Sequence, residues 1–225
     1  MNVHDSEKIS GLLSHRGMVP VHSLEEADLF ILNTCSVREK AVHKVYSRLG
    51  EIRKKRGSDP NFFIGVVGCV AQQESQNMTQ KAPFVDLVVG THMYHALPDL
   101  LDDLDKKNKP IKQLVTTDFL DDPAPIEIAP VLRSSHFRAN ITITEGCNKH
   151  CSFCIVPYTR GKERNRPALT ILEEVKKVAD QGFVEILLLG QTVNSYKDPE
   201  KYSFRFADLL AKVAEINGIR RVRFT

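Results

Sequence analysis

Three of the five cysteines in this 225-residue chain stand within eight residues, at Cys147, Cys151 and Cys154. They follow an apolar run and precede a helix-like segment, so one loop can wrap their thiolates around a single inorganic centre. Three thiolates are one fewer than the four that hold an ordinary iron–sulfur cluster. The spacing therefore predicts a cluster with one iron left open for a substrate or cofactor.

A zinc site is the first alternative for this loop. His150 could complete a Cys3His set, and thiolates at close spacing suit zinc. Structural zinc sites usually pair two short hairpins, however, whereas His150 directly precedes Cys151 in one loop after a predicted buried strand. We favour the open cluster over zinc, with inert buried cysteines as the third interpretation.

The other two cysteines, Cys35 and Cys69, occupy matching places in the first half of the chain. Short apolar runs at 29–32 and 62–67 lead into them, and a third run lies at 85–89. Such runs are typical of strands buried on both faces of a parallel sheet. Ligands gather beyond the carboxyl ends of such strands, so both cysteines are candidate site residues. The alternative is that they are simply buried, as cysteine often is.

Helical periodicity alternates with these runs. One helix is predicted almost from the first residue, with Asp5, Ser6 and Glu7 as acidic and capping residues in front of its apolar positions. A second is predicted from Ser36 to Arg56, where basic residues end it. Strands alternating with helices predict a parallel-sheet α/β domain over residues 1–105.

A change of composition separates this domain from the rest. Residues 106–135 contain four prolines and the acidic pair Asp121-Asp122, so they are predicted to form an interdomain linker. A second domain is expected over residues 136–225.

The second domain is predicted to repeat a strand followed by a helix. A capping box of Thr170 and Glu173 should open its first long helix. The predicted elements are strands at 137–144, 184–189 and 219–224, and helices from Thr170 to Gly182 and from Phe204 to Ile216. These repeats resemble the opening arc of a (β/α) barrel, and a barrel cut there would leave an unpaired edge. We therefore expect the chain to be a fragment of α/β class.

The composition indicates the cellular compartment of the protein. No leader and no apolar run of membrane-spanning length is found, which predicts a cytoplasmic protein without a membrane partner. In a reducing compartment, five cysteines indicate metal ligands or reactive thiols rather than disulfides.

The charge is distributed unevenly along the chain. Up to Pro130 there are 15 Lys and Arg against 18 Asp and Glu; from Val131 there are 16 against 10. The basic second half permits an anionic partner such as nucleic acid.

The spacing Cys-x3-Cys-x2-Cys, with the aromatic Phe153 before the last cysteine, resembles the signature of radical S-adenosylmethionine (SAM) enzymes. The resemblance implies a 4Fe-4S cluster on Cys147, Cys151 and Cys154, with SAM bound to the open iron, and a partial or full barrel. It also implies that polar residues after the next strand face the cofactor. Gln191 and Asn194 are the candidates, with a plain polar turn as the alternative.

Within these enzymes the chain resembles the methylthiotransferase branch, most closely the tRNA-2-methylthio-dimethylallyladenosine synthase (MiaB) family. The stretches that carry the resemblance are Met1 to Glu7, Asn33 to Ala41, Gly68 to Gln72 and Glu145 to Cys151. The family implies a second, auxiliary 4Fe-4S cluster on three cysteines, two of which match Cys35 and Cys69. The third is expected in a Gly-Cys-Gln just before Met1, so we expect this chain not to complete sulfur insertion by itself.

The implied reaction is methylthiolation of C2 of an isopentenylated adenosine next to the anticodon of tRNA. The implied partners are tRNA and an electron-donor protein. The basic run Arg160, Lys162, Arg164 and Arg166 suits phosphate contact, with a plain charged loop as the alternative; Asn165 replaces a serine expected there. Other open readings are the same chemistry on threonylcarbamoyl-adenosine or on a ribosomal-protein aspartate, and a non-catalytic, zinc-stabilised RNA-binding module.

Overall fold

The computed structural model describes residues 1–36, 39–57, 59, 61–106, 113–119 and 131–225. The predicted α/β class is confirmed, because two separate parallel sheets are flanked by helices. The acidic pair Asp121-Asp122 and the four prolines of the predicted linker lie outside the described residues.

The first sheet contains four parallel strands in the order β1, β2, β3, β4. Their bounds are Leu29–Thr34 (β1), Phe63–Gly68 (β2), Leu87–Val89 (β3) and Leu114–Thr116 (β4). The register pairs Thr34 with Gly68, so β1 and β2 end at the same level. The next residues, Cys35 and Cys69, therefore follow the same edge of the sheet, as the sequence predicts.

Helices cover both faces of this sheet. Their bounds are Asn2–His15 (α1), Glu39–Arg56 (α2), Cys69–Glu74 (α3), Gln76–Lys81 (α4) and Leu97–Lys106 (α5). Val45, Leu49 and Ile52 recur at three- and four-residue steps, so α2 buries one apolar stripe on the sheet. On the opposite face α1 and α5 bury Ile9 and Leu97.

Two predictions for this unit need correction. β1 is an edge strand of the described sheet and is mostly half-buried, rather than buried on both faces. β4 lies inside the segment predicted as a linker and pairs with β3. Three residues are too few for a periodic pattern, so the sequence gives no signal for this strand.

The second unit contains the strand and helix repeats that the sequence predicts. Its parallel sheet has the order β5, β8, β9, and a short antiparallel pair, β6 with β7, stands beside it. The strand bounds are Arg138–Thr142 (β5), Thr144–Glu145 (β6), Arg164–Asn165 (β7), Glu185–Leu189 (β8) and Arg221–Phe224 (β9). The helix bounds are Val156–Arg160 (α6), Ala168–Asp180 (α7) and Phe206–Ala214 (α8).

The core of this unit lies between the sheet and two helices. Ile171 and Val175 of α7 and Leu209 of α8 are buried in one cluster with Ile141 of β5 and Ile186 of β8. None of the described helices is both long and apolar enough to cross a lipid bilayer.

The start of α7 differs from its prediction. The helix begins at Ala168, directly after Pro167, two residues before the predicted cap Thr170. The hydroxyl of Thr170 donates to the Pro167 carbonyl oxygen at 2.9 Å. The predicted capping box of Thr170 and Glu173 is therefore wrong: Thr170 lies inside the first turn.

Two leucines in the helices of this unit test the location of the core. Leu209 is fully buried on α8, whereas Leu169 on α7 is 62% exposed. We expect Leu209→Ala to lower the free energy of unfolding by about 2–5 kcal/mol, because it removes buried methyl groups and leaves a cavity. Leu169→Ala should change it by less than about 0.5 kcal/mol. Urea unfolding followed by circular dichroism measures both, and equal losses would contradict the assigned core.

Candidate functional site

The loop that carries Cys147, Cys151 and Cys154 is closed at its base by a short antiparallel ladder. β6 enters the loop and pairs with β7, which leaves it. The Cys147 amide donates to the Gly161 carbonyl oxygen at 3.1 Å, which draws the two ends together. Gly146 has a φ of 72°, and a Cβ atom there would collide with the backbone of Gly161 and Lys162. Glycine is required at this crossing.

The three cysteines have different exposures within this closed loop. Cys147 is buried, Cys154 is half-buried and Cys151 is exposed. The Lys149 amide donates to the Cys147 sulfur at 3.5 Å, and the Cys154 amide donates to the Cys151 carbonyl oxygen at 3.1 Å. The backbone therefore turns tightly around the thiols.

Residues after β8 meet the cysteine loop at the carboxyl end of the sheet. The Thr192 hydroxyl lies 3.8 Å from the Cys147 sulfur. The side-chain oxygen of Gln191 is buried and has no hydrogen-bond partner in the described part of the chain. A buried carbonyl oxygen of this kind can accept a hydrogen bond from an amino group of a ligand. Asn194 is exposed, and Phe153 projects from the loop with 93% of its surface exposed.

Side-chain placement bears on the choice between a cluster and zinc. Among the described residues, no three His, Cys, Asp or Glu side chains converge closely enough to hold one metal ion. A structural zinc ion needs four ligand atoms around one point, and His150 is exposed. A cluster binds each thiolate to a different iron, so its cysteines stand further apart. Three thiols with a buried acceptor nearby are a donor set that fits an open-site cluster with a bound ligand.

Cys35 and Cys69 form a second candidate site at the edge of the first sheet. Cys35 is exposed, and Cys69 is buried as the first residue of α3. The side-chain oxygens of Asn33, Ser36 and Tyr94 are buried without hydrogen-bond partners in the part of the chain that the structure describes. Burial raises the pKa of Tyr94 well above its ordinary value, so its phenol stays protonated.

A cleft of about 360 Å³ lies between residues that neighbour the two cysteine sites in the chain. Ser36, His43 and Glu74 of the first unit line it, together with Phe153 and Ile155 of the second. Ser36 is next to Cys35, α3 runs from Cys69 to Glu74, and Phe153 and Ile155 flank Cys154. Neighbours of both candidate sites therefore border the same cleft.

Helix α6 holds the cysteine loop against the first unit. The Thr91 hydroxyl donates to the Thr159 carbonyl oxygen at 2.6 Å, and the His92 Nε2 atom lies 3.0 Å from the Arg160 carbonyl oxygen. The Arg160 guanidinium donates to the carboxylate of Asp5 on α1, and both side chains are buried. Burial alone would lower the pKa of Arg160, but Asp5, Cys69 and Tyr94 together raise it well above its ordinary value.

Glu7 on α1 makes the second contact between the units. Its carboxylate accepts hydrogen bonds from the Ser134 amide at 3.0 Å, the Ser134 hydroxyl at 2.7 Å and the Asn140 amide at 3.1 Å. His4 Nδ1 lies 3.2 Å from the same carboxylate. Burial would raise the pKa of Glu7, but the bonds from His4, Ser134 and Asn140 lower it to about 2.

The basic run predicted to contact phosphate is used mostly inside the protein. Arg160 is buried against Asp5, and Arg166 is buried against Glu174 at 2.7 Å. Arg164, which is half-buried, pairs with Glu145 at 3.2 Å. Lys162 is exposed. The prediction of phosphate contact is therefore wrong for Arg160 and Arg166, because buried, paired guanidinium groups cannot reach RNA.

Comparison with known proteins assigns both units. Residues 1–90 match the uncharacterized protein family UPF0004, and residues 141–225 match the radical SAM superfamily. A tRNA-2-methylthio-N(6)-dimethylallyladenosine synthase from a Hydrogenobaculum species is 44% identical over the whole chain and 51% of its own length. This chain is therefore similar over its whole length to a synthase of that name, and its second unit matches the radical SAM superfamily. It spans about half the length of the curated relatives that it matches.

Other relatives are similar to the chain to the same degree. Synthases of the same name from a Psychrobacter species and from Clostridium botulinum are 45% and 42% identical over all of this chain, which covers 47% and 49% of their lengths. Among solved structures, a radical SAM methyltransferase from Kitasatospora setae is similar at a TM-score of 0.49 and 14% identity, with 96% of this chain and 50% of that chain covered.

Several residues of the candidate site were not identified from the sequence. Asp5 and Glu7 were expected to stand before the first helix as capping residues. α1 begins at Asn2 instead, so both lie inside the helix and are buried. The sequence does contain a signal for these contacts. Two carboxylates stand on a helix that lies against a sheet, and carboxylates buried there need polar or charged partners. Nothing in the sequence marked the contact between Thr192 and Cys147 or the burial of Tyr94.

The acid sensitivity of the contact between the units tests the Glu7 network. Because folding lowers the pKa of Glu7, its contribution to stability is present above about pH 4.5 and is lost as the pH falls towards 2. At neutral pH we expect Glu7→Gln to lower the free energy of unfolding by about 2 kcal/mol. Thermal unfolding from pH 7 to pH 3 should show the gap between wild type and variant shrinking.

Glu51→Gln is the control for this experiment. Glu51 pairs with Arg48 on the surface of α2, and both side chains are more than half exposed. Its substitution should change stability little at any pH. A constant gap between wild type and Glu7→Gln from pH 7 to pH 3 would contradict the assignment.

Proposed function

We propose that this chain carries the catalytic centre of a tRNA methylthiotransferase with two 4Fe-4S clusters. Its target would be C2 of an isopentenylated adenosine next to the anticodon. The observation that carries the proposal is the cleft bordered by residues next to both cysteine sites, Ser36 beside Cys35 and Phe153 beside Cys154. A reaction that joins a sulfur atom to an activated carbon needs a radical source and a sulfur source that face one substrate. The names of the relatives support the substrate.

In this proposal Cys147, Cys151 and Cys154 hold the cluster that binds SAM. When bound, that cluster supplies the electron that cleaves SAM, so that a hydrogen atom can be removed from the substrate carbon. Gln191 orients the cofactor through its buried oxygen, and Thr192 fixes the position of Cys147. Asn194 is proposed to contact the cofactor from the adjacent exposed turn.

The second cluster is proposed to use Cys35 and Cys69. Cys69 is shielded from water at the start of α3, whereas exposed Cys35 faces outward. The buried hydroxyls of Ser36 and Tyr94 have no hydrogen-bond partner in the described part of the chain, so they are available to donate to the sulfur atoms of a group held there.

The substrate base is proposed to enter the cleft from the side of Phe153. An anticodon loop can splay a base out of its stack, and exposed aromatic rings recognise such bases. The ring of Phe153 lies at the mouth of the cleft, where it can contact the cofactor or the base. Among the basic run, Lys162 remains available for the RNA backbone, with Arg164 partly accessible.

Anaerobic reconstitution with iron and sulfide tests the metal centre. The wild-type chain should gain broad absorbance in the blue that bleaches with dithionite, together with stoichiometric iron. Cys147→Ser should lose the SAM-dependent change in the electron paramagnetic resonance spectrum of the reduced cluster, whereas Cys69→Ser should retain it. A colourless protein that binds zinc, with no iron, would reject the proposal in favour of a zinc-stabilised RNA-binding module.

Deuterium transfer tests the substrate. An anticodon stem–loop with isopentenylated adenosine deuterated at C2 should yield 5′-deoxyadenosine that carries deuterium, measured by mass spectrometry. The same stem–loop deuterated at C8 is the matched control and should transfer none. This readout needs no sulfur insertion. Transfer only from a threonylcarbamoyl-adenosine stem–loop, or only from an aspartate peptide, would assign a different substrate.

A further inference from the structure

The ion pair of Asp5 and Arg160 lies where the two units meet. Asp5 is 1% exposed and Arg160 is 8% exposed, so the pair is shielded from water. Asp5 lies in the first turn of α1, and Arg160 is the last residue of α6. Residues 155 positions apart in the chain are thereby joined by a charged hydrogen bond, which is stronger and more directional than a neutral one.

One side of the pair is tied to the second cysteine site. The Asn33 amide near the end of β1 donates to the Asn2 carbonyl oxygen at 2.9 Å and to the Ser6 hydroxyl at 2.8 Å. These bonds fix the first turns of α1, and with them Asp5, to the strand that leads into Cys35. Any shift of α1 would therefore also displace the end of β1.

The other side of the pair is tied to the cysteine loop. α6 begins two residues after Cys154 and ends at Arg160, so one short helix joins them. α6 also packs against α3, whose first residue is Cys69. The guanidinium of Arg160 lies within electrostatic reach of Cys69 and Tyr94, beyond its contact with Asp5.

We propose that Asp5 and Arg160 are positioning residues that fix the Cys35 and Cys69 site relative to the loop of Cys147, Cys151 and Cys154. The functional meaning of this spacing rests on the proposed function, because a radical made at one site must act on a substrate held beside the other. A shift of about 1 Å in such an arrangement can cost about a hundredfold in rate. The ion pair sets the spacing without contacting the substrate.

Cys35 and Cys151, one exposed cysteine from each site, allow the spacing to be measured without any cluster. The full chain is stripped of metal, reduced, and treated with bismaleimides of graded spacer length. Mass spectrometry then reads the yield of the Cys35 to Cys151 cross-link. In the wild type we expect a high yield over a narrow range of spacers.

Three variants test the pair: Asp5→Asn, Arg160→Gln and the double substitution. Each should lower the yield at the best spacer severalfold and broaden the range of spacers that react. Each single variant leaves one buried charge without its partner and can unfold the protein, whereas the double variant leaves no buried charge. The double variant is therefore decisive. If it is folded by circular dichroism and cross-links like wild type, the proposal is overturned.

Arg48→Gln is the matched control, because it removes an arginine whose partner, Glu51, lies on the same exposed helix surface. It should cross-link like wild type. Since this experiment uses no iron, SAM or RNA, a failure of cluster reconstitution would reject the proposed function and leave the cross-link result standing. An unchanged cross-link beside successful reconstitution would reject only the positioning role.

Discussion

The structure depends on how the carboxylates of α1 are neutralised. A helix that lies against a sheet usually buries an apolar stripe, yet α1 also buries Asp5 and Glu7. Burying an unpaired carboxylate costs several kcal/mol or more. Their partners lie far along the chain, because Arg160 and Asn140 belong to the second unit and Ser134 lies near the end of the predicted linker. A change in how the units meet would leave these carboxylates without those partners, so the contacts tie the two units together.

The arrangement of the two units determines where the candidate site residues lie. In parallel sheets the side chains that follow the strands gather at one edge, and here β1 and β2 bring Cys35 and Cys69 to one edge while β5 and β8 bring Cys147 and Thr192 to another. Two such edges could point in any relative direction. The contacts of α1 and α6 join the two units, and residues next to both cysteine sites border one cleft.

Local patterns explain which parts of this arrangement are readable from sequence. The strands that lead into Cys35 and Cys69 and the helix repeats of the second unit follow from periodicity within ten or so residues. The burial of Arg160 and Arg166 does not, because a guanidinium is buried only if a carboxylate distant in the chain reaches it. The start of α7 was misplaced since both Pro167 and Thr170 suit a helix start. Where two nearby residues both suit a helix start, the packing of the folded chain determines which of them the helix uses.

The distribution of surface charge is likewise only partly predictable from the sequence. Counting residues assigns a basic excess to the second half of the chain, which suggests a surface for an anionic partner. Part of that excess points inward, since Arg160 neutralises Asp5 of the first half and both Arg133 and Arg166 neutralise Glu174. A charge paired in the interior contributes little to the field that an RNA phosphate meets outside. The field that an anionic partner would meet is therefore set by exposed cations such as Lys162 near the cysteine loop, and the count of basic residues overstates that field.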